Sequence, residues 1–185
     1  MNGFSKDVCY LAAANGVAAL GACEDLRSRR IPNALTGTAM LIGVVLHLLV
    51  GGPKDSGNAL LAGMCAGALL LVMYVAGGMG AGDVKLMAAV GCLAGPSSIR
   101  SILTGTFLFG AIFGIGLALY HRRLKQTVSN AMFLLGFHGQ KHKADADSRD
   151  TSGVLPHPDE GFSVPYAVPI AAGCLMSLGT LLWGG

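Results

Sequence analysis

Long runs without charge alternate with short polar breaks along this chain. The runs cover about residues 8–23, 34–52, 59–78, 84–95, 101–120 and 165–183. A helix rises about 1.5 Å per residue and the hydrocarbon core of a bilayer is about 30 Å thick, so a crossing takes roughly 20 apolar residues. The pattern therefore predicts an all-α, polytopic membrane protein with about six transmembrane helices. The fourth run is the shortest; it crosses only if tilted or if protein and interface complete its ends.

Composition agrees with a lipid solvent. Hydrophobic residues make up 52% of the 185, and charged residues only 12%, where a soluble domain carries about 25%. Glycine is abundant, at 28 residues; small residues let helices in a membrane approach closely. The formal net charge of +3 is too small to suggest a nucleic-acid partner. Cys9, Cys23, Cys65, Cys92 and Cys174 each lie in an apolar run, and no two have CxxC spacing. Neither a zinc site nor a disulfide framework is expected, and all five read as small buried side chains.

Lysine and arginine placement orients the helices. With the N-terminus outside, ten of the thirteen basic residues fall in inside segments, from Arg27, Arg29 and Arg30 through Lys85 to Arg149. Lys6, Lys54 and Arg100 remain outside. Leu20-Gly21-Ala22-Cys23 resembles a lipoprotein cleavage box, but Asp7 cancels Lys6 and leaves a poor positive leader, so the first run reads as a mature helix. The only sizeable soluble stretch is the inside loop 121–163. Within 122–137, Leu124, Val128, Ala131 and Leu135 share one helical face behind three basic residues. That predicts a helix lying on the membrane surface, against lipid. Residues 139–160 are polar and read as a solvated, flexible segment. His138, His142 and His157 are scattered there and predict no metal site. The whole chain, 1–185, reads as a single membrane-embedded domain.

Acids are costly in a membrane, about 2.5–3.5 kcal/mol at a helix centre by insertion scales, and mark function there. Of the ten acids, only Glu24, Asp25 and Asp83 border apolar runs. Asp25 ends the first helix, where an acid opposes the helix dipole. Charge balance with Arg27, Arg29 and Arg30 is the plain alternative for it, and explains Glu24 well enough. Asp83 opens the fourth helix after the cluster Gly77-Gly78-Met79-Gly80-Ala81-Gly82, where a simple N-cap is the plain alternative. The cluster lacks the Gly-Lys-Ser/Thr ending of a phosphate loop and follows no strand, so it predicts no nucleotide site. In the derived topology both aspartates lie at the inner ends of their helices. Two close carboxyl groups share a proton, one oxygen activating water while the protonated partner donates to a peptide carbonyl. They titrate as a unit, so neither role is assigned to either residue.

Here the residues match a family. The stretch Asp25-Leu-Arg-Ser-Arg-Arg-Ile31-Pro32-Asn33 resembles the aspartate-to-Ile-Pro-Asn segment of type IV prepilin peptidases. Gly80-Ala81-Gly82-Asp83-Val84-Lys85 resembles their GxGD motif, shared by the GxGD membrane aspartic proteases. Pro165-Tyr166-Ala167 is similar to a looser third feature. The resemblance implies Asp25 and Asp83 as the catalytic pair, with Ile31, Pro32, Asn33, Gly80, Gly82, Lys85, Pro165 and Tyr166 in support. It implies a multi-pass enzyme of the bacterial inner membrane, acting without metal or cofactor. It would remove the leader of a prepilin or pseudopilin at the cytoplasmic face, in company with pilus assembly machinery. Only seven residues precede the first run, so N-methyl transfer, associated with longer members, is not expected. In size the chain resembles the short peptidases of tight-adherence (Flp-type) pilus systems, the TadV/CpaA group.

Pro32 reads as the first residue of the second helix, where its missing N–H costs little. Asn33 reads as a partner for exposed amides or a substrate backbone. Lys85, two residues past Asp83, points elsewhere and reads as a headgroup anchor. Two other functions fit parts of the pattern. A small ion- or proton-coupled transporter could use the acids and glycine breaks, but the acids sit at the inner edge and no inverted repeat is visible. A non-catalytic subunit of a pilus or secretion machine leaves the aspartates without a purpose.

Overall fold

A computed structural model of the chain describes residues 3–28, 31–75, 79–120 and 166–183. The described residues are helical, with no strand among them: α1 (Gly3–Ser28), α2 (Asn33–Gly51), α3 (Pro53–Val75), α4 (Ala81–Tyr120) and α5 (Ala167–Trp183). The loop 121–163, with the expected surface helix 122–137 and the segment 139–160, lies outside them, as do Arg29, Arg30, Gly77, Gly78 and Pro165. The chain divides into two compact units, one of Met1–Gly114 with Val164–Gly185 and one of Ile115–Ser163.

Three helices are long and apolar enough to cross a membrane: Asn33–Gly51, Pro53–Val75 and Ala81–Gly116. Ala167–Trp183 is a shorter apolar helix. α1 carries charges near both ends around an apolar middle. Leucines and valines on α2 and α3 face outward, among them Leu41, Leu49, Leu61 and Val72, as helices immersed in lipid require. Cys92 and Cys174 are buried as expected, but Cys9, Cys23 and Cys65 are exposed on outward faces.

α4 is two helices in one. Gly95, at φ 71° and ψ −177°, breaks it, and Pro96 follows at once. Gly52, at φ 85° and ψ −175°, does the same between α2 and α3, with Pro53 opening α3. Both glycines occupy a backbone region essentially closed to other residues. Proline disfavours a helical ψ in the residue before it, and its fixed φ suits the first position of a helix. The two Gly-Pro steps thus end one helix and begin the next with a single residue between. The hydropathy pattern placed loops at 53–58 and 96–100; helix occupies both.

The second arm of α4 doubles back. A Cβ on Gly110 would fall 3.3 Å from the Tyr166 ring, and Tyr166 lies within electrostatic reach of Asp83. In a straight helix Asp83 and Gly110 would be about 40 Å apart. The first arm, 81–94, is about 21 Å long by the same rise. It is also the most enclosed element: Leu86, Met87, Ala89, Val90 and Cys92 are fully buried. Neighbours on several sides explain how so short a run serves.

Glycines set those neighbours close. A Cβ at Gly43 of α2 would come 2.8 Å from the Cys92 carbonyl. One at Gly63 of α3 would come 2.6 Å from the Ala88 carbonyl oxygen, and one at Gly21 of α1 2.7 Å from Leu86. α5 meets the second arm where Gly105 and Gly173 touch. Asn15 of α1 donates Nδ2–H to the Cys174 carbonyl of α5 at 3.2 Å.

Candidate active site

Asp83 is not the N-cap of α4. α4 begins at Ala81, so Gly80 holds that place and Asp83 is the third helical residue. The Asp83 N–H donates to the Gly80 carbonyl at 3.2 Å, while the Gly80 amide faces the Asp83 carboxylate. An acid three residues past the cap reaching back to the cap amide is the acidic half of a capping box. A second amide comes from Ala167, the first residue of α5. The side chain is 4% exposed, and its Oδ1 has no hydrogen-bond partner among the described residues.

Asp25 stands in the last turns of α1, half-buried. Its charge acts on Asp83, so the two carboxyl groups share one end of the helical unit. The packing explains why. α1 runs against the first arm of α4, Gly21 meeting Leu86. One turn beyond Gly21 along α1 is Asp25, and one turn before Leu86 is Asp83.

The remaining motif residues gather at the same end. Ile31 packs on the backbone at Gly82, where an added Cβ would lie 3.3 Å from the Ile31 Cβ. Pro32 is the N-cap of α2, extended at φ −61° and ψ 131°, rather than its first helical residue. Its carbonyl accepts from Leu35 N–H at 3.1 Å. The correction has a simple cause: an N-cap needs a carbonyl and an extended ψ, both of which proline supplies. Asn33, expected at helix-end amides or a substrate, instead accepts a hydrogen bond from Lys85 Nζ at 2.9 Å. Lys85, expected as a headgroup anchor, stays exposed but is tied to Asn33. Tyr166 is half-buried between Gly110 and the neighbourhood of Asp83.

The Ala167 amide is the member the sequence did not reveal, because a backbone donor leaves no mark on residue type. At the opposite end, His47 and Gly95 were equally silent. The His47 ring is buried, stacks on Tyr10 at 4.0 Å, and donates Nδ1–H to the Gly43 carbonyl at 2.9 Å. A Cβ at Gly95 would sit 2.7 Å from its Nε2.

Curated relatives match about half of the chain. The prepilin leader peptidase/N-methyltransferase of Aeromonas salmonicida (strain A449) is 38% identical over 102 residues, 51% of this chain and 35% of the relative. The Aeromonas hydrophila protein of the same name is 36% identical over 102 residues, again 51% of this chain and 35% of the relative. That of Bacillus subtilis (strain 168) is 32% identical over 108 residues, covering 57% and 43%. The chain thus aligns with less than half the length of these relatives. No solved structure matches it significantly. The model of the Type IV leader peptidase family matches residues 12–115, more than half the chain and the part that carries Asp25, Ile31, Pro32, Asn33, Gly82, Asp83 and Lys85, and the chain belongs to that family.

Proposed function

We propose that this protein is a membrane aspartic endopeptidase that removes the leader from prepilin-like substrates, with Asp25 and Asp83 as its catalytic pair. The single observation that carries this is the buried Asp83 carboxylate, with an unpartnered Oδ1, under the influence of the Asp25 charge at one end of the helices.

The chemistry follows from two acids in a poorly solvated place. Two neighbouring carboxyl groups hold one proton between them. The ionised group takes a proton from water as the oxygen attacks the scissile carbonyl. The protonated group donates to the carbonyl oxygen, and the amide nitrogen leaves as an amine once protonated. The pair acts as a unit, and either residue can begin in either role. Amides from Gly80 and Ala167 hold the Asp83 carboxylate in place, so the geometry precedes the substrate.

In the orientation favoured by the basic residues, this end is cytoplasmic and the protein is a multi-pass protein of the bacterial inner membrane. We assign it cleavage alone, not the methyl transfer in the relatives' names. An Flp-type prepilin is the substrate to offer first, with a pseudopilin beside it. Co-expression with the unaltered chain, Asp25→Asn or Asp83→Asn tests the reading. Substrate shortening on a gel should vanish in both variants while their membrane levels hold. Normal trimming by either variant removes that aspartate from the pair, and ion flux without cleavage would favour a transporter.

A further inference from the structure

We propose that Lys85 is a positioning residue: through its hydrogen bond to Asn33 it holds the segment after Asp25 against the helix that carries Asp83, and so sets the spacing of the two carboxyl groups. This rests on the peptidase reading above.

Asp25 lies between two anchors. Behind it, Gly21 of α1 seats on Leu86 of α4. Ahead of it, the chain enters α2 through Ile31, Pro32 and Asn33, and touches the start of α4 twice. One contact is apolar, Ile31 on Gly82. The other is the Lys85 Nζ–H···Oδ1 Asn33 bond at 2.9 Å, between residues 52 apart in sequence. Only seven residues separate Asp25 from Asn33, so fixing Asn33 restricts where the end of α1 can go.

Lys85 follows Asp83 by two residues, which places the two side chains about 200° apart around the helix. Its ammonium is therefore directed away from the Asp83 carboxyl group and acts through Asn33. An exposed hydrogen bond adds little to stability. Losing it should spare the fold and disturb the spacing of the reacting groups, where a displacement of about 1 Å can cost up to a hundredfold in rate.

The test compares Lys85→Met, Asn33→Ala and their double variant in purified full-length protein cleaving a prepilin peptide. Lys85→Arg and Asn33→Asp serve as conservative variants that keep a donor and an acceptor. Each single loss should lower kcat about tenfold or more with KM within about twofold. The double variant should be no slower than the worse single, and Lys85→Arg and Asn33→Asp should keep most of the activity. Multiplying losses overturn the proposal. So does normal kcat in Asn33→Ala with a poor Lys85→Met, which would mean the lysine charge acts directly. A rise in KM at unchanged kcat also overturns it, in favour of substrate binding.

A second measurement needs no activity. In a cysteine-free background, Ile31→Cys with Gly82→Cys brings two Cβ atoms close to disulfide distance. Oxidation should be at least several-fold slower when Lys85→Met is added; an unchanged rate overturns the clasp. Asp25→Asn and Asp83→Asn run in parallel. If either still cleaves, that aspartate leaves the catalytic pair, and if the unaltered chain does not cleave, the peptidase reading fails; in both cases the cross-linking rate still decides whether Lys85 holds the two segments together.

Discussion

Gly95 has φ 71° and ψ −177°, a combination that costs a residue with a Cβ about 1–3 kcal/mol. The space is closed as well, since the new methyl group would lie 2.7 Å from His47 Nε2. Gly95→Ala should lower the melting temperature of the detergent-solubilised protein. Adding His47→Ala relieves the steric part and leaves the backbone strain, so the double variant should not be restored to the native melting temperature. At Asp83 the same scale of reasoning separates position from role. As the third residue of its helix, it satisfies the Gly80 amide through one part of the carboxylate and keeps Oδ1 unpartnered. A residue needed only to cap a helix has no reason to be buried beside another acid.

Between elements, the contacts of the first arm of α4 depend on the absence of side chains. A Cβ at Gly63 would meet the Cys92 sulfur and the Ala88 carbonyl, and one at Gly91 would lie 2.8 Å from the Gly63 Cα. Backbone cannot rotate away as a side chain can. Gly63→Ala or Gly91→Ala should destabilise by about 1–3 kcal/mol, the usual cost of overpacking. Gly37 and Gly57 are helical glycines with nothing within 4 Å of an added Cβ. There alanine should be neutral or stabilising by up to about 1 kcal/mol. Melting curves of the four variants in one detergent check the contrast. The abundance of glycine was plain from composition, but the sequence could not separate these two kinds, because the difference lies in what the neighbouring helix presents.

For the helical unit as a whole, the Gly52-Pro53 and Gly95-Pro96 turns stand at one end and both aspartates at the other. His47 of α2 lies against Gly95, and Lys6 of α1 donates to the Val50 carbonyl at 3.3 Å near the end of α2. The orientation proposed from the basic residues puts the aspartate end on the cytoplasmic side. A single cysteine replacing Lys54, just past the first turn, should react with an impermeant maleimide added to cells with a permeable outer membrane. One replacing Arg27, two residues past Asp25, should react only after the inner membrane is opened. The reverse pattern would place the aspartates outside and end the cytoplasmic cleavage reading.

The helical class and the apolar runs were determined by the sequence, because both depend on local matters: run length and backbone hydrogen bonding within one segment. The two motifs were legible for the same reason, as short strings. The tertiary structure alone decided which helix ends meet. It brought Lys85 to Asn33 and Ile31 to Gly82, set the Ala167 amide on Asp83, folded α4 back at Gly95, and placed Pro32 as a cap. These partners lie far apart along the chain or act through backbone atoms common to every residue, so their pairing follows from packing and from no local pattern.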